Sequence, residues 1–416
     1  MAQNQISPAW RTPPPTILPR AEITGSKGVI HGAFDYAELT QLGLTTHAVI
    51  DFSANSNPYG PSPAVIAALS VVDPACYPDR ECLALRCALA DHLGAAPEHI
   101  VVGNGAAELL WLIAFVFLRP GDRVLIVGPT FGEYARMAQL MGAQVVQWQA
   151  SPASQFAVDV DAVAAQITTI APRLVFLCNP NNPTGQVVAP ESIAAWASAA
   201  PQALFVIDEA YIAFVEGMRS VHALRLPNLL VVRSMTKEYA LAGLRLGYAA
   251  GAEALIAALA AARVPWSVNA CAQAAGLAAL GDADHLRATL AQLRLAKAEL
   301  VAALTRLGCS PYPSATNFFL LPVDDGARLR SHLLRQGILV RDCASFGLPQ
   351  CIRIAARRPD ENAKLLQALE GIQADARKTN TARDHAVGHS FQRREESAGD
   401  GVLQNFGATG SAGGAV

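Results

Sequence analysis

The chain has 416 residues, with 32 Lys+Arg against 34 Asp+Glu, a formal net charge of -2, 52% hydrophobic residues and 16% charged ones. That length holds two or three domains with a substantial core, and the composition excludes a disordered polyampholyte and a small stapled scaffold. The near-neutral balance offers no field for a polyanion, so a small molecule rather than a nucleic acid is the expected partner; the longest strongly apolar run, Leu109 to Leu118, is about half a membrane span, so no membrane is expected either.

Met1 to Ala21 is polar and Pro-rich, without the apolar segment or cleavage signature of a secretory signal, which points to the cytoplasm. The chain divides into a flexible tail (residues 1–25), an N-terminal segment (26–75) that joins a small domain and the site, and a large domain (76–265). An interdomain helix and C-terminal small domain (266–374) follow, and then a disordered polar tail (375–416).

Short Val/Ile/Leu-rich runs bounded by Gly, Pro, Asn or Asp predict strands at Ile100–Val102, Arg123–Val127, Gln144–Trp148, Leu174–Cys178, Ala203–Ile207, Leu229–Arg233 and Gly247–Ala250. Helices are predicted at Ala106–Phe117, Tyr134–Met141, Asp159–Thr168, Pro190–Ala200 and Ala252–Arg263. A long helical pattern from Ala283 to about Leu307 then precedes strands near Thr316–Leu321 and Cys351–Ala355. The alternation is that of an α/β fold with a mostly parallel central sheet covered by helices and a smaller α+β domain. Eight cysteines without a C-x-x-C pair and nine histidines without H-x-x-x-H spacing predict neither a disulfide framework nor a metal site.

Three successive strand ends finish in polar clusters: NPNNPTG (Asn179 to Gly185), DEAY (Asp208 to Tyr211) and SMTKEYALAGLRLGY (Ser234 to Tyr248). In open α/β sheets the carboxyl ends of the strands line the ligand crevice, so these clusters are expected to converge. Lys237 alone reads as a surface lysine, but Ser234, Thr236 and Arg245 around it suit a phosphate. A lysine beside a phosphate ester, in a partly apolar cleft, can form a Schiff base with an aldehyde. Pyridoxal 5′-phosphate carries both groups.

Asp208 reads either as a helix cap or as the carboxylate that keeps the cofactor's pyridine nitrogen protonated. Asn179 and Tyr211 then reach the ring 3′-oxygen. The turn GNGAAEL (Gly103 to Leu109) offers backbone N–H groups and a helix dipole to an anion. Phe131 reads as a core aromatic or as one that stacks on a planar cofactor.

Together these motifs resemble the fold-type I pyridoxal-phosphate family, specifically the class I/II aminotransferase superfamily and its histidinol-phosphate aminotransferase branch, over about His31 to Leu369. Within the branch, IHG followed by IDFSANSNPYGPS (Ile50 to Ser62), the RSMTKEYALAGLRLGY segment and VPWSVNA (Val264 to Ala270) are more similar to threonine-phosphate decarboxylases of cobalamin biosynthesis.

The resemblance implies Lys237 as the Schiff-base lysine, Asp208 as the pyridinium partner, and Asn179 and Tyr211 as 3′-oxygen donors. Ser234, Thr236, Arg245 and the amides of Ala106 and Ala107 hold the cofactor phosphate, and Phe131 stacks on the ring. Tyr77 reaches the phosphate of a neighbouring subunit, which implies a homodimer with shared active sites. Arg353 clamps the substrate carboxylate. Arg341, with Asn179, His31, Gly32, Ser53 and Asn55, closes over a phosphorylated amino acid.

The expected reaction is decarboxylation of L-threonine O-3-phosphate to (R)-1-amino-2-propanol O-2-phosphate and CO2, by a lyase. The alternatives are an aminotransferase acting on histidinol phosphate or another amino acid, and an inactive binding protein that keeps the fold.

Overall fold

The computed structural model describes residues 18–26 and 28–374; the terminal tails expected from the sequence lie mostly outside them. The chain divides into two units, Met1–Asn362 and Ala363–Val416, and the architecture below is that of the first.

Its N-terminal part holds α1 (Tyr36–Gln41), β1 (Ile50–Asp51), α2 (Pro63–Leu69) and α3 (Leu83–Leu93). An alternating series follows: β2 (Ile100–Gly103), α4 (Gly105–Phe117), β3 (Arg123–Gly128), α5 (Glu133–Leu140), β4 (Gln144–Gln149), α6 (Val160–Ile170), β5 (Leu174–Cys178), α7 (Pro190–Ala199), β6 (Leu204–Asp208), β7 (Leu229–Ser234) and β8 (Gly247–Gly251). The remainder comprises α8 (Glu253–Ala262), α9 (Ala270–Gly281), α10 (Ala283–Arg306), β9 (Phe318–Pro322), α11 (Gly326–Arg335), β10 (Ile338–Leu339), β11 (Arg341–Asp342) and β12 (Cys351–Ala355).

Seven strands form the central sheet in the order β2-β8-β7-β6-β5-β3-β4. All run parallel except β8, which is antiparallel to both neighbours. The reason is local: residues 235–246, between β7 and β8, contain no α-helix to carry the chain across a sheet face, so it returns beside itself. The inner strands β5 and β6 are buried at every position because helices cover both faces. One core layer packs Leu125, Val175, Phe205 and Val231 against Val163 and Ile193 of α6 and α7. Another joins Ile100, Val102 and Tyr248 to Leu85 and Leu89 of α3 and Ala272 and Ala275 of α9. Each fully buried side chain such as Phe205 contributes about 1.5–3 kcal/mol.

The smaller part is an antiparallel sheet, β11-β12-β9. β1 pairs in parallel with β10 in a separate two-stranded sheet, which ties the N-terminal segment to the strand that follows α11. Side chains fix the helix starts nearby: Asn269 caps α9, Asp282 caps α10 and Asp325 caps α11, each accepting a backbone N–H, worth about 1 kcal/mol apiece.

Candidate active site

β5, β6 and β7 are parallel neighbours, so their carboxyl ends bring NPNNPTG, Asp208 and Ser234 to one edge of the sheet. Asp208 is only 5% exposed. Tyr134 Oη donates to its Oδ2 at 2.6 Å, and the Ala210 N–H to its Oδ1 at 3.0 Å. Burial pushes this carboxyl above its ordinary range, while the Tyr134 and Ala210 donors and the charge of Lys237 pull it back. A buried carboxylate with neutral hydrogen-bond donors favours a cation against it, as a protonated pyridine nitrogen would be. Tyr134 is itself fully buried, parallel to Phe176 at 5.2 Å and edge-on to Phe131 at 5.6 Å.

Lys237 follows β7 in the loop to β8, where its carbonyl accepts from the Asn57 N–H at 2.9 Å. Burial first, and then the charges of Arg353 and Arg245, bring its amine down to about 8. Far more of it than of an ordinary lysine is therefore free amine near neutral pH, the form that condenses with an aldehyde.

The residues expected to hold a phosphate lie close together. Gly103, Gly247 and Ser234 lie in one row across β2, β8 and β7. A Cβ on Gly247 would stand 2.5 Å from the Ala106 nitrogen, and one on Gly105 would stand 2.7 Å from Arg245 Nη2. Bare backbone thus lets the start of α4 and the Arg245 guanidinium close together. Ala106 and Ala107 lie in the first turn of α4, where N–H groups lack intrahelical partners. The buried Ser234 and Thr236 hydroxyls are 2.6 Å apart. This donor set, with an amine on one side and a carboxylate on the other, fits pyridoxal 5′-phosphate.

Tyr211 is buried edge-on to Phe318 at 4.9 Å, its hydroxyl accepting from Asn55 Nδ2 at 3.3 Å. Burial pushes its phenol up to about 12. Asn179 departs from expectation: its amide bonds the backbone of Val188 in both directions, at 2.9 Å each, and so closes its own loop. Asn182, three residues on, accepts from Arg353 Nη1 instead. Arg353 Nη2 donates to the Ser53 carbonyl at 2.5 Å, and its guanidinium lies over Phe318 at 5.5 Å.

Arg341 faces Arg353 across β11 and β12, and each is 4% exposed. Arg341 Nη2 donates to the Ile30 carbonyl at 2.8 Å and to Ser345 Oγ at 2.6 Å. Ser53 Oγ donates to Asp51 and accepts from the Ala33 N–H, which ties down residues 31–33; a Cβ on Gly32 would strike the Ser53 carbonyl. His31 lies 5.5 Å from Phe131 and meets Glu133. Tyr77 lies elsewhere, 82% exposed and against Trp266 at 5.0 Å.

Sequence reasoning missed Asn182, Tyr134 and Glu133. Asn182 belongs to the motif already singled out, but Asn-Pro occurs in it twice and nothing in the letters chooses between the two. Tyr134 and Glu133 carried no signal beyond helical position.

The model of the family described as aminotransferase class I and II matches residues 47–369. The chain belongs to that family. Within it, the chain is 41% identical over 336 residues to a histidinol-phosphate aminotransferase of Symbiobacterium thermophilum, covering 79% of this chain and 91% of that one. Further relatives between 34 and 41% identical bear the same name. The solved histidinol-phosphate aminotransferase of Sinorhizobium meliloti, in complex with pyridoxal 5′-phosphate, matches with TM-score 0.78 and 26% identity over 87% of this chain and 99% of that one. The L-threonine-O-3-phosphate decarboxylase of Porphyromonas gingivalis matches with TM-score 0.70 and 28% identity over 78% of this chain and 99% of that one.

Pyridoxal 5′-phosphate is the cofactor of this aminotransferase-family enzyme. The decarboxylase reading, with its lyase activity and its place in cobalamin biosynthesis, is corrected by the relatives, whose shared name is histidinol-phosphate aminotransferase. In VPWSVNA, Val268 is core, Asn269 caps α9 and Trp266 packs on Tyr77. Among the described residues no helix is long and apolar enough to cross a membrane.

Proposed function

We propose that the protein is an aminotransferase that moves an amino group between a phosphate-bearing amine, histidinol phosphate in the first place, and a 2-oxo acid. The observation that carries this is the buried cross-strand pair Arg341 and Arg353. Like charges directly opposite one another destabilise a sheet, and burial lowers the proton affinity of both guanidinia. Among the described residues Arg353 forms no ion pair, and Arg341 forms one at 3.7 Å with Asp342. Such a pair is relieved by anionic ligands. The two half-reactions bring them in turn: histidinol phosphate a phosphate and no carboxylate, the 2-oxo acid a carboxylate.

Pyridoxal 5′-phosphate, when bound, supplies the aldehyde that takes up the amino group and a ring that accepts electron density from Cα. Lys237 holds that aldehyde and moves the proton at Cα. Asp208, braced by Tyr134, keeps the ring nitrogen protonated. Tyr211 and the Nδ2 of Asn182 serve the ring oxygen, and Ser234, Thr236, Arg245 and the amides of Ala106 and Ala107 hold the phosphate. Arg353 and Arg341 orient the substrate, with His31, Gly32, Ser53 and Asn55 closing the site. Phe131, packed against His31 and Tyr134, would lie against the ring.

A homodimer belongs to this reading. Arg263 bonds the Arg80 carbonyl at 2.8 Å, and the exposed Tyr77 packs on the exposed Trp266 at 5.0 Å. An apolar patch of this kind suits a subunit interface. The test of activity is incubation of the holoenzyme with histidinol phosphate and 2-oxoglutarate. Equal amounts of keto product and glutamate are expected, and no turnover beyond that of Lys237→Ala would refute the assignment.

A further inference from the structure

The Glu133 carboxylate is nearly buried at the start of α5, yet no step above uses it. Three donors converge on it. His31 Nε2 meets Oε1 at 3.1 Å, Arg136 Nη1 meets the same oxygen at 3.4 Å, and Trp111 Nε1 donates to Oε2 at 3.2 Å. Both oxygens are thereby fixed in direction, one of them toward an imidazole whose side chain is still 48% exposed. His31 also lines a recess of about 550 Å³ with Arg341, Ser53 and Arg330.

The cations around that recess are not equivalent. Arg330 is already neutralised by both oxygens of Glu38, at 2.7 and 2.5 Å. Arg341 is left as the recess's cationic anchor, and one guanidinium partly engaged with Ile30, Ser345 and Asp342 does not saturate a phosphate dianion. His31 is the further nitrogen donor at this wall. With Nε2–H held on the carboxylate the ring is oriented, and in the imidazolium form, where both nitrogens donate, the Nδ1–H has no hydrogen-bond partner among the described residues and is free for a phosphate oxygen.

We propose that Glu133 is a positioning residue that sets His31 to receive the substrate's phosphate beside Arg341. The inference rests on the phosphorylated-amine reading above. Glu133 touches neither substrate nor cofactor; it acts through His31. Replacing it with Gln puts an N–H against either Trp111 or His31, both of which donate, so the imidazole loses its fixed orientation while the volume stays the same.

The test is a double-mutant cycle of Glu133→Gln and His31→Ala in the holoenzyme. KM is read for histidinol phosphate and for histidinol, and the dissociation constant of inorganic phosphate is read by calorimetry. Glu133→Gln is expected to raise KM for histidinol phosphate and weaken inorganic phosphate about tenfold, with kcat and KM for histidinol changed less than about twofold. In the His31→Ala background the same replacement is expected to have no further effect.

An effect of Glu133→Gln that persists without His31, or that falls equally on both amines, would overturn the proposal in favour of a structural role. Unchanged phosphate affinity in both single variants would overturn it outright. Should Glu133→Gln not fold, His31→Ala, on an exposed side chain, still reports the phosphate-specific loss. Inorganic phosphate needs no turnover. Failure of wild type to transaminate histidinol phosphate would therefore count against the function, and an unaltered phosphate affinity in the variants against this inference.

Discussion

At the scale of single residues the site is an excess of positive charge held in place for anions that the fold does not itself supply. Lys237 shows what this does to stability. Its amine ionises at about 8 in the folded chain against an ordinary 10.5. Below both values it is charged whether folded or not, and the burial penalty is present in full. Between them the folded protein has released the proton and the unfolded chain has not, so the penalty fades and stability rises with pH. Apoprotein of Lys237→Met is therefore expected to melt above wild type near pH 7, with the gap narrowing as pH rises from about 8 toward 10. Equal melting at pH 7, or a gap that widens, would show that the amine carries no such penalty. The sequence exposed Lys237 and Asp208 because each ends a strand run in a polar cluster. It did not expose Tyr134, whose hydroxyl reaches Asp208 across 74 positions of chain, nor that Asn179 is taken up by Val188 while Asn182 meets Arg353.

At the scale of elements, close approach of backbones shapes the phosphate cup. Gly247 sits between Gly103 and Ser234, and its missing side chain lets the first turn of α4 lie against β8. Gly247→Ala is expected to force α4 away and raise the dissociation constant of pyridoxal 5′-phosphate at least about tenfold, about 1.4 kcal/mol, with far-ultraviolet circular dichroism unchanged. Cofactor fluorescence titration decides it, and wild-type affinity in the variant would show that the contact yields. Many elements of the fold were legible: β5 and β12 have the bounds that their apolar runs indicate, and α10 ends one residue before the predicted Leu307. β1, β10 and β11 were not, since two residues have no period to read. Nor did the apolar run of β8 reveal its reversed direction, because apolar alternation carries no sign. The helix-free stretch 235–246 was the available clue.

At the scale of the whole molecule, the proposed dimer joins Tyr77 of one subunit to the Lys237 site of another. Within the protomer, Arg263 bonds the Arg80 carbonyl, three residues after Tyr77. If sites are shared, mixing inactive Lys237→Ala with a Tyr77→Ala variant of weak cofactor affinity is expected to give hybrids with one site free of both substitutions. Activity of the re-equilibrated mixture is then expected to exceed the sum of the two parents. Strict additivity, or a monomer by light scattering, would place Tyr77 outside the site. The near-zero net charge of the chain conceals this design, since Lys237 and Arg245, Arg341, and Arg353 are gathered from three separate stretches of sequence.

The central claim is that these groups perform transamination of a phosphorylated amine. The most direct measurement is a single half-reaction: holoenzyme mixed with histidinol phosphate and no 2-oxo acid, followed by the cofactor's absorbance. The account predicts stoichiometric loss of the pyridoxal band with gain of the pyridoxamine band, reversed by adding 2-oxoglutarate. A pyridoxal band that survives saturating histidinol phosphate would contradict it.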